Sequence, residues 1–244
     1  MNEAIKVEQI SKAYRGLPAV KGLSLSIGYG KVFGLLGANG AGKSTSIECI
    51  LGTKEADSGK VSIMGMNPIR DRKKLFQMVG VQFQEVNYQN EITVSELCEE
   101  TASLYQNPAD WHQLLAQFGI SDKIKSAVKN LSGGQRQRLF IVLALISNPK
   151  VVFLDELTTG LDAKARRDVW KILEELKRKG LTILLTSHFM DEVEVLCDEI
   201  CILKRGETVF YGTVAEAIAN SPYEKFEDAY LWYADEEENK NEDL

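Results

Sequence analysis

With 244 residues, 44% of them apolar and 26% charged, the chain can build one compact domain, or one core with a small insert, and is neither disordered nor collagen-like. The net charge of -6 is uneven: residues 224–244 hold nine acids against Lys225 and Lys240, so the rest sums to about +1 and no basic field points to nucleic acid. No apolar run nears the roughly 18 to 20 residues that span a bilayer, and no basic-then-apolar leader opens the chain, so a cytoplasmic protein is expected.

In chain order, Ile5–Ile10 and Leu23–Ile27 alternate apolar and polar residues, as half-buried antiparallel strands do. Lys31–Leu36 is a short apolar run ending in a glycine-rich loop, with a helix expected from Thr45 to Leu51. Val61–Met64 and Val79–Phe83 read as further strands. From Asn87 to about Leu131 the pattern turns helical, over Thr93–Tyr105 and Ala109–Phe118. Strands return at Val151–Leu154, Thr182–Thr186 and Glu199–Leu203, with helices over Gly134–Ser147, Ala163–Lys179 and Met190–Leu196. This alternation predicts an α/β core with a parallel sheet and a helical insert. Cys49, Cys98, Cys197 and Cys201 show neither a CxxC pair nor metal spacing and read as buried thiols.

Gly37-Ala38-Asn39-Gly40-Ala41-Gly42-Lys43-Ser44 fits G-x-x-x-x-G-K-[ST] between an expected strand and helix. Glycines let backbone N–H groups and the helix N-terminus converge on phosphate oxygens. Lys43 then reaches the β- and γ-phosphates, Ser44 suits Mg²⁺, and Thr45, the first residue of the expected helix, joins the nucleotide-binding set. Val151–Leu154 ends in Asp155 and Glu156, two carboxylates with separable tasks: Asp155 to hold Mg²⁺, Glu156 to orient the water attacking the γ-phosphate. Leu131-Ser132-Gly133-Gly134-Gln135 opens an apolar helix. By chemistry alone it is either a second anion-binding terminus, serving another subunit's nucleotide, or a plain helix cap.

Together these residues resemble the ATP-binding subunit family of ABC transporters over about Ile5–Tyr233, with Leu131–Gln135 standing where that family's signature falls. The resemblance implies a P-loop NTPase core with an N-terminal antiparallel β subdomain (1–86 and 142–219), an inserted helical subdomain (87–141), and a C-terminal helix with an acidic tail (220–244). It implies that Tyr14, otherwise an ordinary strand-end aromatic, stacks on adenine. Gln84, with Gln82 as its competitor two residues earlier, takes the Q-loop role toward Mg²⁺ and the attacking water. Asp162 falls in the D-loop and His188 matches the switch histidine. Leu157 stands where the family usually has proline, which threatens to loosen the turn beside Glu156.

The implied function is hydrolysis of Mg-ATP by a head-to-tail dimer, homomeric or with a paralogous subunit, driving a separate membrane permease from the cytoplasmic face. His188–Asp198, the Lys204-Arg205-Gly206 turn, Phe210–Thr213 and Phe226–Leu231 resemble the drug- and lipid-export branch. An importer subunit, or a soluble ABC ATPase acting on ribosomes or DNA, is the alternative. Residues 85–88 fall where the family receives a short helix of the permease.

Overall fold

The computed structural model describes residues 3–82, 88–89 and 91–234. Its strands are β1 (Glu3–Tyr14), β2 (Leu17–Gly28), β3 (Val32–Gly37), β4 (Ser58–Ile63), β5 (Val79–Gln82), β6 (Val151–Leu154), β7 (Thr182–Leu185), β8 (Glu199–Lys204) and β9 (Glu207–Gly212). Its helices are α1 (Lys43–Ile50), α2 (Arg72–Leu75), α3 (Val94–Ser103), α4 (Trp111–Gln117), α5 (Gly133–Ile146), α6 (Ala163–Arg178), α7 (Met190–Leu196), α8 (Val214–Ala219) and α9 (Phe226–Ala234). Two compact units result. One draws its described residues from Met1–Gly28, Val32–Arg70 and Thr186–Leu244, the other from Tyr29–Lys31 and Asp71–Leu185.

In the first unit β1 pairs antiparallel with β2 and with β4. The alternation seen in the sequence is its cause: Ile5, Val7 and Ile10 of β1 and Leu23, Leu25 and Ile27 of β2 are buried, while Lys6, Glu8, Gln9, Ser24 and Ser26 between them are wholly or partly exposed. β3 is buried throughout and pairs parallel with β8, from Phe33 opposite Glu199 to Gly37 opposite Leu203. β9 returns antiparallel along β8. Leu36, Met190, Val193, Ile200, Ile202, Ala217 and Phe226 form one apolar cluster that seats α7, α8 and α9.

In the second unit β5, β6 and β7 run parallel, with β6 in the middle. β6 and β7 are buried at every position, which explains why they read as continuous apolar runs. α5 lies against β5. Gly80 is the point of closest approach, since a Cβ there would stand 2.0 Å from the Ala144 carbonyl oxygen. The Asp155–Leu157 turn therefore has α5 and two parallel strands as its frame.

Several boundaries differ from expectation, each for a local reason. α1 starts at Lys43, two residues before the expected Thr45, because Gly42 takes a left-handed φ of 105° and directs the chain straight into the helix. α4 starts at Trp111, since the Asp110 carboxylate accepts from the His112 and Gln113 N–H groups. Thr93 caps α3 with a full capping box, in line with the capping threonine expected there. The last residue of the expected Val79–Phe83 strand lies outside the described residues. Cys49, Cys98 and Cys201 are buried, and burial pushes the Cys98 thiol up to about 12 and that of Cys201 to about 11, so neither is a thiolate near neutrality.

Candidate nucleotide site

The phosphate loop lies between β3 and α1. Gly37 ends the strand, Ala38, Asn39 and Gly40 are exposed, and the Ala41 N–H donates to the Ala38 carbonyl at 3.1 Å. Gly42 cannot be another residue: besides its φ of 105°, a Cβ would meet the Ala19 carbonyl oxygen at 2.4 Å. No side chain caps α1. The first turn of that helix thus directs its N–H groups past Gly42 with no acceptor side chain supplied, the arrangement that suits a phosphate.

Lys43 is buried and folds back on the loop, its Nζ donating to the carbonyls of Gly37 at 2.7 Å and Ala38 at 3.1 Å. The ammonium is thereby held within the loop that the phosphates would enter. Ser44 is exposed on the first turn of α1 and Thr45 is half-buried beside it.

Tyr14 ends β1 and is 39% exposed. Lys12 and Lys54 place their Nζ atoms 5.9 Å and 5.2 Å from the ring centroid. Asp57 anchors this end of the strand, accepting from Lys12 Nζ and the Ala13 N–H at 2.7 Å each, which holds its carboxyl below the usual range. His188 is exposed just before α7, where the buried Ser187 accepts from the Phe189 N–H at 2.9 Å and fixes the local chain.

In the second unit Asp155 and Glu156 follow β6 directly, both half-buried. Glu156 adopts a left-handed φ of 51°, which turns its side chain out of the strand direction. Leu157, the departure from the family's proline, is fully buried, and Gln137 of α5 donates to the carbonyls of Glu156 at 3.2 Å and Leu157 at 2.8 Å. The turn is therefore held by apolar burial and a side-chain amide where a proline ring would otherwise restrict it.

Gln82, the competitor to Gln84, is buried and donates to the Asp155 carbonyl at 3.0 Å, tying β5 to the end of β6. Gln84 itself lies outside the described residues, as do Glu85, Val86, Asn87 and the acidic tail from Asp235. Gln82 and Gln137 are the two residues that sequence reasoning did not assign to this turn. The signal for Gln137 was its place two residues after Gln135 on a helix whose next turns are wholly apolar.

Ser132 is the N-cap of α5, and the capping box with Gln135 is complete: the Gln135 N–H donates to Ser132 Oγ at 3.2 Å and the Ser132 N–H to Gln135 Oε1 at 3.0 Å. The cap reading is thus realised. Ser132 and Gly133 also remain exposed, and Gly134 faces the segment before α6, with Leu161 and Gly160 at the distance of close contact for a Cβ. Asp162 caps α6 through the Ala165 N–H at 2.8 Å.

A buried parallel strand ending in two acids, a glycine-rich loop opening a helix, and the Leu131–Gln135 segment define the class of the ATP-binding cassette. The sequence matches the ABC transporter family over residues 20–159, so the chain belongs to that family. It is 39% identical over 86% of its length to the Nod factor export ATP-binding protein I of Rhizobium meliloti, and spans 64% of that protein. It is 35% identical over 86% of its length to the linearmycin resistance ATP-binding protein LnrL of Bacillus subtilis, covering 69% of it. Among solved structures, an ATP-binding subunit of an ABC transporter superposes with a TM-score of 0.85 at 25% identity, over 94% of this chain and 99% of that one. An ATP-binding cassette in its ADP conformation gives 0.79 at 27% identity, over 95% and 99%. The fold is accordingly that of a P-loop NTPase with a separate antiparallel β layer. Among the described residues no helix is long and apolar enough to cross a membrane.

Proposed function

We propose that this chain hydrolyses Mg-ATP and couples the hydrolysis to export through a separate membrane permease, from the cytoplasmic face of the membrane. The observation that carries the reading is the uncapped, glycine-opened start of α1 with Lys43 folded against the loop carbonyls. The direction of transport rests on relatives named for Nod factor export and linearmycin resistance.

The phosphate loop, Gly37–Thr45, takes the triphosphate, and Tyr14 stacks on adenine. The exposed hydroxyl of Ser44 and the carboxylate of Asp155 are hard oxygen donors suited to Mg²⁺, with Gln84 completing the set. When bound, the ion neutralises charge on the phosphate oxygens. Glu156 orients the attacking water and accepts its proton; His188 steadies the γ-phosphate. The working unit is a head-to-tail dimer, of identical or paralogous subunits, in which Leu131–Gln135 of one chain closes over the nucleotide of the other and Asp162 lies at the seam.

Permease docking fits a cleft of about 440 Å³ in the second unit, lined by Tyr88, Ile92, Leu97, Thr101 and Leu104 together with the exposed Gln89 and Glu100. The cleft offers an apolar floor for a short amphipathic helix, and Tyr88 is braced by Phe140, with ring centroids 6.2 Å apart. Tyr88→Glu should cost the subunit its capture by co-expressed permease by roughly tenfold or more while ATP turnover of the isolated chain stays unchanged. Undiminished capture would remove this surface.

Glu156→Gln tests the reaction. It should bind ATP as the natural chain does, lose turnover by roughly two to three orders of magnitude, and accumulate as an ATP-dependent dimer on size exclusion. Retained turnover would overturn the assignment of the base.

A further inference from the structure

A groove of about 670 Å³ in the first unit shares no lining residue with the phosphate loop. It opens over the apolar cluster that seats α7, α8 and α9, and Met190, Val214, Ile218 and Phe226 supply its apolar lining. Met190 and Phe226 are buried, whereas Val214 and Ile218 are only half-buried, so the cluster reaches the surface along α8. Apolar surface of this kind, rimmed by charged side chains, marks a place where something binds.

The rim is acidic. Glu194 of α7 and Glu224 and Glu227 at the start of α9 line the groove, and all three are exposed. Among the described residues, none of these three carboxylates takes part in an ion pair or a side-chain hydrogen bond. A fourth lining acid, Asp191, is already engaged, its Oδ1 accepting from the Glu192 N–H at 3.0 Å, and it is left out of the count. Lys225 is the one lining cation among the described residues, so three available carboxylates are set against one ammonium.

The sign of that charge selects the occupant. Anionic lipid headgroups and nucleic-acid phosphates are repelled. The chain's own residues 235–243, with six acids against Lys240, are repelled equally. A cationic partner is attracted. Its conformation follows from the walls: the groove is lined by α7, α8 and the start of α9, so an extended peptide would find no strand edge to pair with. A helix satisfies its own backbone and needs only side-chain contacts.

We infer that this groove docks a cationic amphipathic helix of a partner protein. Apolar residues of that helix at i, i+3 or i+4 and i+7 form one stripe, which seats on Val214, Ile218 and Met190. Lysines or arginines flanking the stripe meet Glu194, Glu224 and Glu227. The inference does not depend on the nucleotide site.

The test titrates the full chain into a labelled synthetic peptide of about four helical turns, with leucine along one face and lysine over the rest, read by fluorescence anisotropy. A second peptide has the same composition in an order that leaves no apolar face. The natural chain should bind the amphipathic peptide at least about tenfold more tightly than the scrambled one. Glu194→Gln/Glu224→Gln/Glu227→Gln should weaken that binding roughly tenfold, and high salt should weaken it likewise. Ile218→Gln should also cost about tenfold. Lys225→Gln should tighten it about twofold, a change of opposite sign that loss of fold cannot produce. Thermal melting of each variant checks that the fold persists. Equal affinity for the two peptides, or an affinity that the glutamate substitutions leave unchanged, would show only diffuse attraction to an acidic chain. Self-association that Ile218→Gln abolishes and the peptide displaces would assign the groove to a second copy. No measurable binding of the amphipathic peptide would leave the groove without the inferred occupant. Each of these overturns the proposal.

Discussion

The starts of α1 and α5 are both glycine-rich helix N-termini, closed in opposite ways. α1 opens on Gly42, a left-handed residue with no side chain to offer the first turn, and its lysine bends back to the loop carbonyls. α5 opens on Ser132, which caps the helix in a reciprocal box with Gln135. The first end needs an external acceptor for its N–H groups; the second has already supplied one from within the chain. A ligand meeting α1 meets a socket, while one meeting α5 meets a finished cap whose remaining groups at Ser132 and Gly133 face outward. Under the proposed function, the first would hold a nucleotide by itself and the second would serve only as the lid of another chain's site.

The largest expected effect breaks the first half of that contrast. Lys43→Ala removes the positive charge held in the loop, and ATP turnover should fall by more than about a hundredfold in a phosphate-release assay while cooperative melting persists. Comparable turnover would show that the α1 terminus is not the phosphate site.

A smaller effect tests the second half. In the Glu156→Gln background, Ser132→Arg should leave ATP binding to the monomer intact and weaken ATP-dependent dimerisation by at least about tenfold, read by size exclusion. Ser132→Ala should cost only the cap, about 1 kcal/mol of stability. Equal loss of dimer in both variants would assign Ser132 a structural role alone.

The smallest effect concerns acid. The capping boxes of α3 and α8 use Glu96 and Glu216, whose carboxyls are held below the usual 4.5 by the N–H groups of Thr93 and Thr213. A carboxyl lowered on folding contributes stability above its unfolded value, and that contribution is lost as pH falls through the folded one. The α5 box uses an uncharged glutamine. Amide protection at the first turns of α3 and α8 should therefore fall as pH drops below the usual 4.5 of these carboxyls while that of α5 holds; a parallel loss at all three would tie acid sensitivity to global unfolding.

Much of this contrast is legible in the sequence, because it rests on local chemistry. Ser132 three residues before Gln135 is a helix-start signal whose partner is only a few residues away. The buried runs Val151–Leu154 and Thr182–Leu185 are equally plain, since a strand covered on both faces is apolar almost throughout, Thr182 being the exception at the start of β7. Where expectation and structure part, as at the start of α1, the cause is a glycine conformation that the pattern of residue types does not encode.

Sequence by itself thus determined the class of site: a phosphate loop, an acid pair at a strand end and a second glycine-rich helix start. Tertiary structure decided what those groups lean on. Gln137 reaches 20 residues along the chain to the Leu157 carbonyl, Gln82 reaches 73 to that of Asp155, and Gly206 brings the Lys204–Arg205 turn onto Ala41. Leu157, which by sequence threatened to loosen the turn, is buried and held. Contacts of this kind leave no periodicity behind, because a single donor meeting a distant carbonyl depends on how strands and helices pack and not on the residues that surround it in the chain.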